Sequence, residues 1–318
     1  MRFGRTAFST LVILSGLGGL ARAEDPVVAL QAPAWSLSGD MGLMNITANE
    51  LVYGGGGKRV SQLVWKSGGV QVIGGVLRVD LDQDWWVSAR GRIGVNGDGR
   101  MADYDWLRPF APGPRNDQWS DRSLHPDTRL NHYVELGLEL RRDLLESDAT
   151  MAGLGAGFAY TDVKWTAWGG SYIYSIKGFR DSRGTFADRS KGISYRQILP
   201  APYLGVHASH RIGDLTLSGV LNGGLAIGAG GQDDHWARSL RFNDHFDTAP
   251  TLSLEASADY AINPSASLYL SGSFDRMFRV KADTTMIDRL TGGRAIFRNG
   301  AGADFQSAAI TFGIRGRF

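Results

Sequence analysis

The chain has 318 residues, with 34 Lys and Arg against 32 Asp and Glu, and no cysteine. Charge this close to balance gives no footing for nucleic acid. The missing thiols exclude disulfides, zinc-thiolate sites and a cysteine nucleophile.

At the N-terminus, Arg2 and Arg5 precede the uncharged apolar run 7–20, and Ala21-Arg22-Ala23 follows. These are the three parts of a secretory signal peptide cut after Ala23. The expectation is a signal peptide at 1–23 and a single mature domain at 24–318. Beyond it, no stretch reaches the roughly 18 apolar residues of a membrane helix.

The mature sequence alternates with period two. Val134, Leu136, Leu138 and Leu140 are separated by Glu135, Gly137 and Glu139. Leu215, Leu217, Leu221, Leu225 and Ile227 form a second row, and Leu252, Leu254, Ala256 and Ala258 a third. The last strand carries Ile310, Phe312, Ile314 and Phe318 on one face, and Thr311, Arg315 and Arg317 on the other. Such rows give each strand one apolar and one polar face. Many run past ten residues, longer than the roughly 5–6 of soluble strands.

The connections are asymmetric. Four are tight and polar, at 81–84, 146–150, 211–214 and 262–265. Five are longer, at 54–59, 97–131, 176–194, 231–250 and 281–303. Short turns on one side and long loops on the other belong to membrane barrels, and 43 glycines with 9 Trp and 10 Tyr suit that class. With both termini on the short-turn side, four turns and five loops make ten strands. The predicted fold is all-β: a ten-stranded antiparallel transmembrane β-barrel with long extracellular loops. So small a barrel leaves little lumen, which disfavours a pore and puts function at the rim.

Three loop segments carry candidate chemistry. In Met101-Ala102-Asp103-Tyr104-Asp105-Trp106, Asp103 and Asp105 share one face if the segment is extended. Paired carboxylates can share a proton and work as acid and base. An Asp-x-Asp is also commonly a solvated turn or a calcium ligand pair. In Gly231-Gln232-Asp233-Asp234-His235-Trp236, Asp233 and His235 share a face and Asp234 points away. An Asp beside a His fixes its tautomer and raises its basicity. A polar loop with an incidental His gives the same letters, and zinc lacks a third ligand nearby. Asp121, Ser123 and His125 lie together in the third segment and have the look of a Ser-His-Asp triad. No strand-turn-helix elbow accompanies them, and a loop tied by Asp and Ser hydrogen bonds explains them equally well.

Taken together, these segments resemble the omptin family of outer-membrane proteases. The similarity lies in Trp119 through Thr128, in Ala156 through Tyr172, in Asp103-Tyr104-Asp105-Trp106, and in Asp233-Asp234-His235-Trp236. Val60-Ser61-Gln62-Leu63 and Gly178-Phe179-Arg180-Asp181 add to it. The resemblance implies a ten-stranded barrel and peptide hydrolysis by water. Asp233 and His235 would activate that water, facing Asp103 and Asp105, with no acyl-enzyme. Ser123 and His125 would be supporting residues, and Asp121 would line the substrate groove.

The resemblance also implies cleavage beside basic residues, recognised by acidic groups. Glu50 matches one of these, whereas Gly231 stands at the second. A lone carboxylate compensates a desolvated cation poorly, so the basic preference is expected to be kept but relaxed. Lipopolysaccharide is the family's activator, but Asp162 and Ile198 stand where basic contacts are needed. Neither pairs with a phosphate, so activation is expected to be lost or to use other contacts. No metal or other cofactor is implied. The expected partners are peptide or protein substrates and outer-membrane lipid, not nucleic acid, and the protein is expected to be a monomer. The competing function is a non-catalytic barrel acting as an adhesin.

Overall fold

Alternation at this length gives long strands, and the computed structural model has thirteen of them among its described residues, 34–318. The signal-peptide segment lies outside the described residues. The strands are β1 (Trp35–Tyr53), β2 (Arg59–Asp80), β3 (Trp85–Val95), β4 (Asp98–Asp105), β5 (Asp121–Glu146), β6 (Thr150–Trp168) and β7 (Ser171–Tyr174). They continue as β8 (Ser182–Thr185), β9 (Lys191–Ile212), β10 (Leu215–His235), β11 (Leu240–Asn263), β12 (Ala266–Asp288) and β13 (Arg294–Arg317).

Every pairing is antiparallel, and the ladder returns to its start. From β1 it runs through β13, β12, β11, β10, β9, β6 and β5, then through β3 and β4 to β2 and back to β1. β3 and β4 follow one another along the gap between β2 and β5. The short hairpin β7–β8 adds to β5 outside the ring. At the seam, Trp35 stacks on Phe318 with ring centroids 4.2 Å apart. A ring of this kind leaves no edge strand open.

The lower part of the barrel is apolar outside and polar inside. Met41 is 66% exposed, Leu204 71% and Ile310 67%, whereas Arg92 and Arg141 are buried in the lumen. Several inward charges are paired: Arg90 with Glu255 at 2.7 Å, Arg141 with Glu139 at 2.9 Å and Arg315 with Asp259 at 2.5 Å. Higher up, the interior becomes an apolar core. There Trp65 stacks with Trp165 and Tyr195, with centroids 6.2 Å and 5.8 Å away.

The four tight turns lie between strands as expected, but three of the five long connections are largely strand, and a fourth, 176–194, is partly so. β4 and the start of β5 fall within 97–131, and the 231–250 segment is a hairpin whose turn is only Trp236–Ser239. Likewise β12 and β13 extend to a short turn at 289–293, and β9 begins at Lys191. Polarity in these segments reflects water on their outer face rather than irregular backbone. The hairpin ladder satisfies their N–H and C=O groups, so a paired strand wins over a loop.

One irregularity aims the upper part of β10. Along Leu217, Leu221, Leu225 and Ile227, odd-numbered residues are exposed. Gly228 has φ +65°, and the β9 register shifts between Gly224 and Gly230. Above it the parity reverses, and Ala229, Gly231 and Asp233 are buried. A bulge re-aims side chains in this way, and Gly takes the left-handed backbone at no steric cost.

Candidate active site

The upper ends of β1, β4, β5, β10 and β11 bring together the residues expected at the site. β4 is extended through Asp103 and Asp105, so both carboxylates share a face. Their cross-strand partners are Leu63 and Ser61 on β2, and Ser123 and Asp121 on β5. Ser61 Oγ donates to Asp103 Oδ1 at 3.2 Å. Burial holds the Asp103 carboxyl well above the usual carboxylate range, and the charge of Asp105 adds to this. Burial likewise pushes Asp105 up to about 6. Both shifts run upward, so the two carboxyl groups together keep a proton more readily than ordinary carboxylates do.

At the top of β10, His235 Nε2 lies 2.5 Å from Asp233 Oδ2. Arg238, in the turn that follows, donates to His235 Nδ1. A carboxylate only accepts and a guanidinium only donates, which puts the imidazole proton on Nε2 and the lone pair on Nδ1. Phe242 holds the ring edge-on, 5.5 Å between centroids. Asp234 points the other way, its carboxylate bound by Arg241 at 2.7 Å. The two candidate pairs lie within electrostatic reach of each other. The charge of Asp233 raises the Asp103 carboxyl further, and the Arg238 guanidinium, bound to His235, lowers both Asp103 and Asp105.

Glu50, on β1, is buried, and its Oε2 has no hydrogen-bond partner; the same holds for Asp233 Oδ1. Burial, followed by the charges of Asp233 and Asp244, keeps the Glu50 carboxyl well above its ordinary value. A buried acid such as Glu50, with no countercharge, keeps its proton until a cation arrives.

Asp121, Ser123 and His125 line up at the start of β5, but not as a triad. Asp121 Oδ1 accepts from the Ser175 backbone N–H at 2.8 Å, which ties it to the segment after β7. His125 Nδ1 donates to the Gly169 carbonyl at 2.5 Å, so its Nε2 accepts from Ser123 Oγ at 3.0 Å. Burial lowers the basicity of His125 and keeps the ring neutral. The orienting group is thus a backbone carbonyl rather than a carboxylate.

Three neighbours carried no signal as site residues in the sequence. Ser61 sits in a recognised motif that says nothing of its contact with Asp103. Arg238 is a loop cation until the turn length is known. Asp244 is opposite Gly231 only once the hairpin register is fixed.

The omptin family profile matches residues 32–318. The chain belongs to the omptin family. Protease 7 of Escherichia coli strain K12 is 32% identical over 268 residues, covering 83% of each chain. The plasminogen activator of Yersinia pestis is 28% identical over 311 residues, 97% of each. The crystal structure of the outer membrane protease OmpT from Escherichia coli superposes with a TM-score of 0.85 at 28% identity, covering 91% of this chain and 99% of that one. This omptin is accordingly an outer-membrane β-barrel of a protease family.

Proposed function

We propose that this omptin is a ten-stranded transmembrane endopeptidase that cuts exterior peptides beside basic residues by activating water. The strand count takes β3 and β4 as one stave and sets aside the β7–β8 hairpin, which leaves ten. The exposed apolar belt below the site supports membrane embedding. Residues 1–23 are its signal peptide, and the rest is a single barrel domain, monomeric in outer-membrane lipid.

The observation that carries the mechanism is the short His235–Asp233 contact, with Asp103 and Asp105 in electrostatic reach. A water molecule displaces Arg238 from His235 Nδ1 and gives up a proton there. The hydroxide adds to the scissile carbonyl carbon. A proton kept by the Asp103–Asp105 pair hydrogen-bonds the oxyanion, and the pair's remaining oxygens orient the water. The proton on His235 then passes to the leaving nitrogen as the C–N bond breaks. Asp233 keeps the imidazole aligned throughout, which is the sense in which the enzyme is aspartic-type. Glu50 receives the basic side chain, and Asp121 borders the groove. On the outer wall Asp162 is already bound by Arg196 at 2.5 Å and His132 at 2.9 Å, which supports activity that does not depend on lipopolysaccharide at that position.

The Ser123–His125 hydrogen bond favours one rival, a serine nucleophile with a covalent acyl intermediate. Refolded protein with a quenched Arg-Arg peptide, with and without lipopolysaccharide, separates the readings. His235→Ala is expected to lower kcat by about 100-fold or more, and Ser123→Ala by far less. Loss of all cleavage in Ser123→Ala, with labelling of the parent by a fluorophosphonate, would establish the serine mechanism instead. An intact peptide under every condition would leave the adhesin function standing.

A further inference from the structure

Gly231 removes a side chain from the middle of the acidic cluster, and the neighbouring strand fills the gap. In the β10–β11 hairpin, Gly231 pairs with Asp244 and Asp233 pairs with Phe242. Directly opposed residues share a face. Asp244 therefore projects to the same side as Asp233. A Cβ at Gly231 would meet Asp244 Oδ2 at 3.1 Å, Asp244 Cβ at 3.3 Å and the Tyr195 hydroxyl at 3.5 Å. The Asp244 carboxylate thus occupies the space that a side chain at 231 would take.

Three carboxyl groups from different strands converge there: Glu50 from β1, Asp233 from β10 and Asp244 from β11. All three are more than nine-tenths buried. Glu50 Oε2 is left without a hydrogen-bond partner in the cluster. Some acids of the upper barrel have their cations, Asp234 from Arg241 and Asp304 from Arg279, whereas Asp103, Asp105 and Asp121 form no ion pair among the described residues. Among the described residues, neither Glu50 nor Asp244 forms an ion pair. Buried carboxylates with no countercharge are costly until a cation is brought to them.

We infer that Asp244 is a specificity-determining residue of this protease: with Glu50 it forms the two-carboxylate receptor for the basic side chain of the substrate. The carboxylate absent at position 231 is present one strand away. A guanidinium entering the cluster meets two carboxyl groups on separate walls, and its five N–H donors are enough to serve both. The consequence is a firm basic preference where a pocket with Glu50 alone would give a relaxed one. This inference rests on the basic-residue reading proposed above and adds a residue to it.

The test compares two quenched peptides that differ only in Arg or citrulline before the scissile bond, equal in shape but not in charge. The parent, Asp244→Asn, Glu50→Gln and the double variant Gly231→Asp/Asp244→Gly are refolded as full chains. The readout is each protein's ratio of kcat/KM for the two peptides. The parent is expected to favour Arg, and Asp244→Asn to lose that preference by about tenfold or more. The double variant, which moves the carboxylate across the strand pair, is expected to regain it. An Asp244→Asn protein with undiminished Arg preference, beside a Glu50→Gln protein that loses it, overturns the role of Asp244 and leaves the basic pocket standing. Equal cleavage of both peptides by the parent removes the basic pocket itself and Asp244 with it. If Asp244→Asn does not fold, the double variant decides. Recovery of the ratio supports the relocated carboxylate, and cleavage without preference refutes it.

Discussion

Four carboxyl groups at the barrel rim, Glu50, Asp103, Asp105 and Asp244, are all pushed up by burial before any other cause. Neighbouring acids add to the shift at Glu50, Asp103 and Asp244, while Arg238 works against it at Asp103 and Asp105. The sign of the shift gives a pH dependence. A raised carboxyl is neutral below its pKa and ionised above it. Asp105 lies at about 6 and Asp244 at about 7. Asp244 is faced by Asp233 on β10, Glu50 on β1, Tyr195 on β9 and Thr284 on β12, and none of these is a cation. On the citrulline peptide, kcat/KM is expected to rise as pH increases through about 6, and the limb to be lost in Asp105→Asn. The Arg-to-citrulline ratio is expected to rise separately, through about 7, and to become flat in Asp244→Asn. Any pH dependence common to the two peptides cancels in the ratio, so a flat ratio in the parent refutes the second titration. The sequence makes part of this visible. Asp103 and Asp105, or Asp233 and His235, are two residues apart, and two residues is one strand repeat. The convergence of Glu50 with Asp244 is invisible there, since those positions meet only through ring closure.

At the level of a single strand, alternation is legible over short distances and misleads over long ones. The apolar row of β10 ends at Ile227, and unbroken parity would turn Asp233 and His235 outward with Leu225. The bulge at Gly228 reverses this, and nothing in one sequence separates that glycine from the others of the strand. β4 has a comparable device. Gly99 pairs with Thr128 but Met101 pairs with His125, so β5 carries an extra residue there. A Cβ at Gly99 would lie far inside van der Waals contact with the Thr128 carbonyl oxygen. Gly99→Ala must therefore push β4 away from β5, at a cost of about 1–3 kcal/mol, and carry Asp103 and Asp105 with it. Its kcat is expected to fall by about tenfold or more, since small displacements at a reacting centre are severe. Gly55→Ala, where a Cβ meets nothing within 4 Å, serves as the control. Equal activity of the two variants would mean that β4 is not held by this close approach.

For the whole barrel, the interior decides whether the rim is a mouth or a floor. The lumen is partly hollow: one cavity of about 460 Å³ extends toward the Trp35–Phe318 end, and another of about 120 Å³ reaches Leu199 and Phe305. Arg90 and Glu255 line both, so their ion pair lies at the partition. The second barrier is the core of Trp65, Trp165 and Tyr195, all fully buried. This core is what allows the acidic cluster above it to be dry. A water-filled shaft beneath Glu50 and Asp244 would hydrate their carboxylates and return them to ordinary titration. The fold therefore predicts a closed lumen as a condition of the chemistry, and not only as a consequence of strand number. In planar lipid bilayers the refolded protein is expected to give no sustained conductance steps. Because the barriers act in series, the double variant Arg90→Ala/Glu255→Ala is expected to stay closed as well. Stable steps from the parent would mean that water reaches the rim from below, and the raised carboxyl groups would then lose their physical cause.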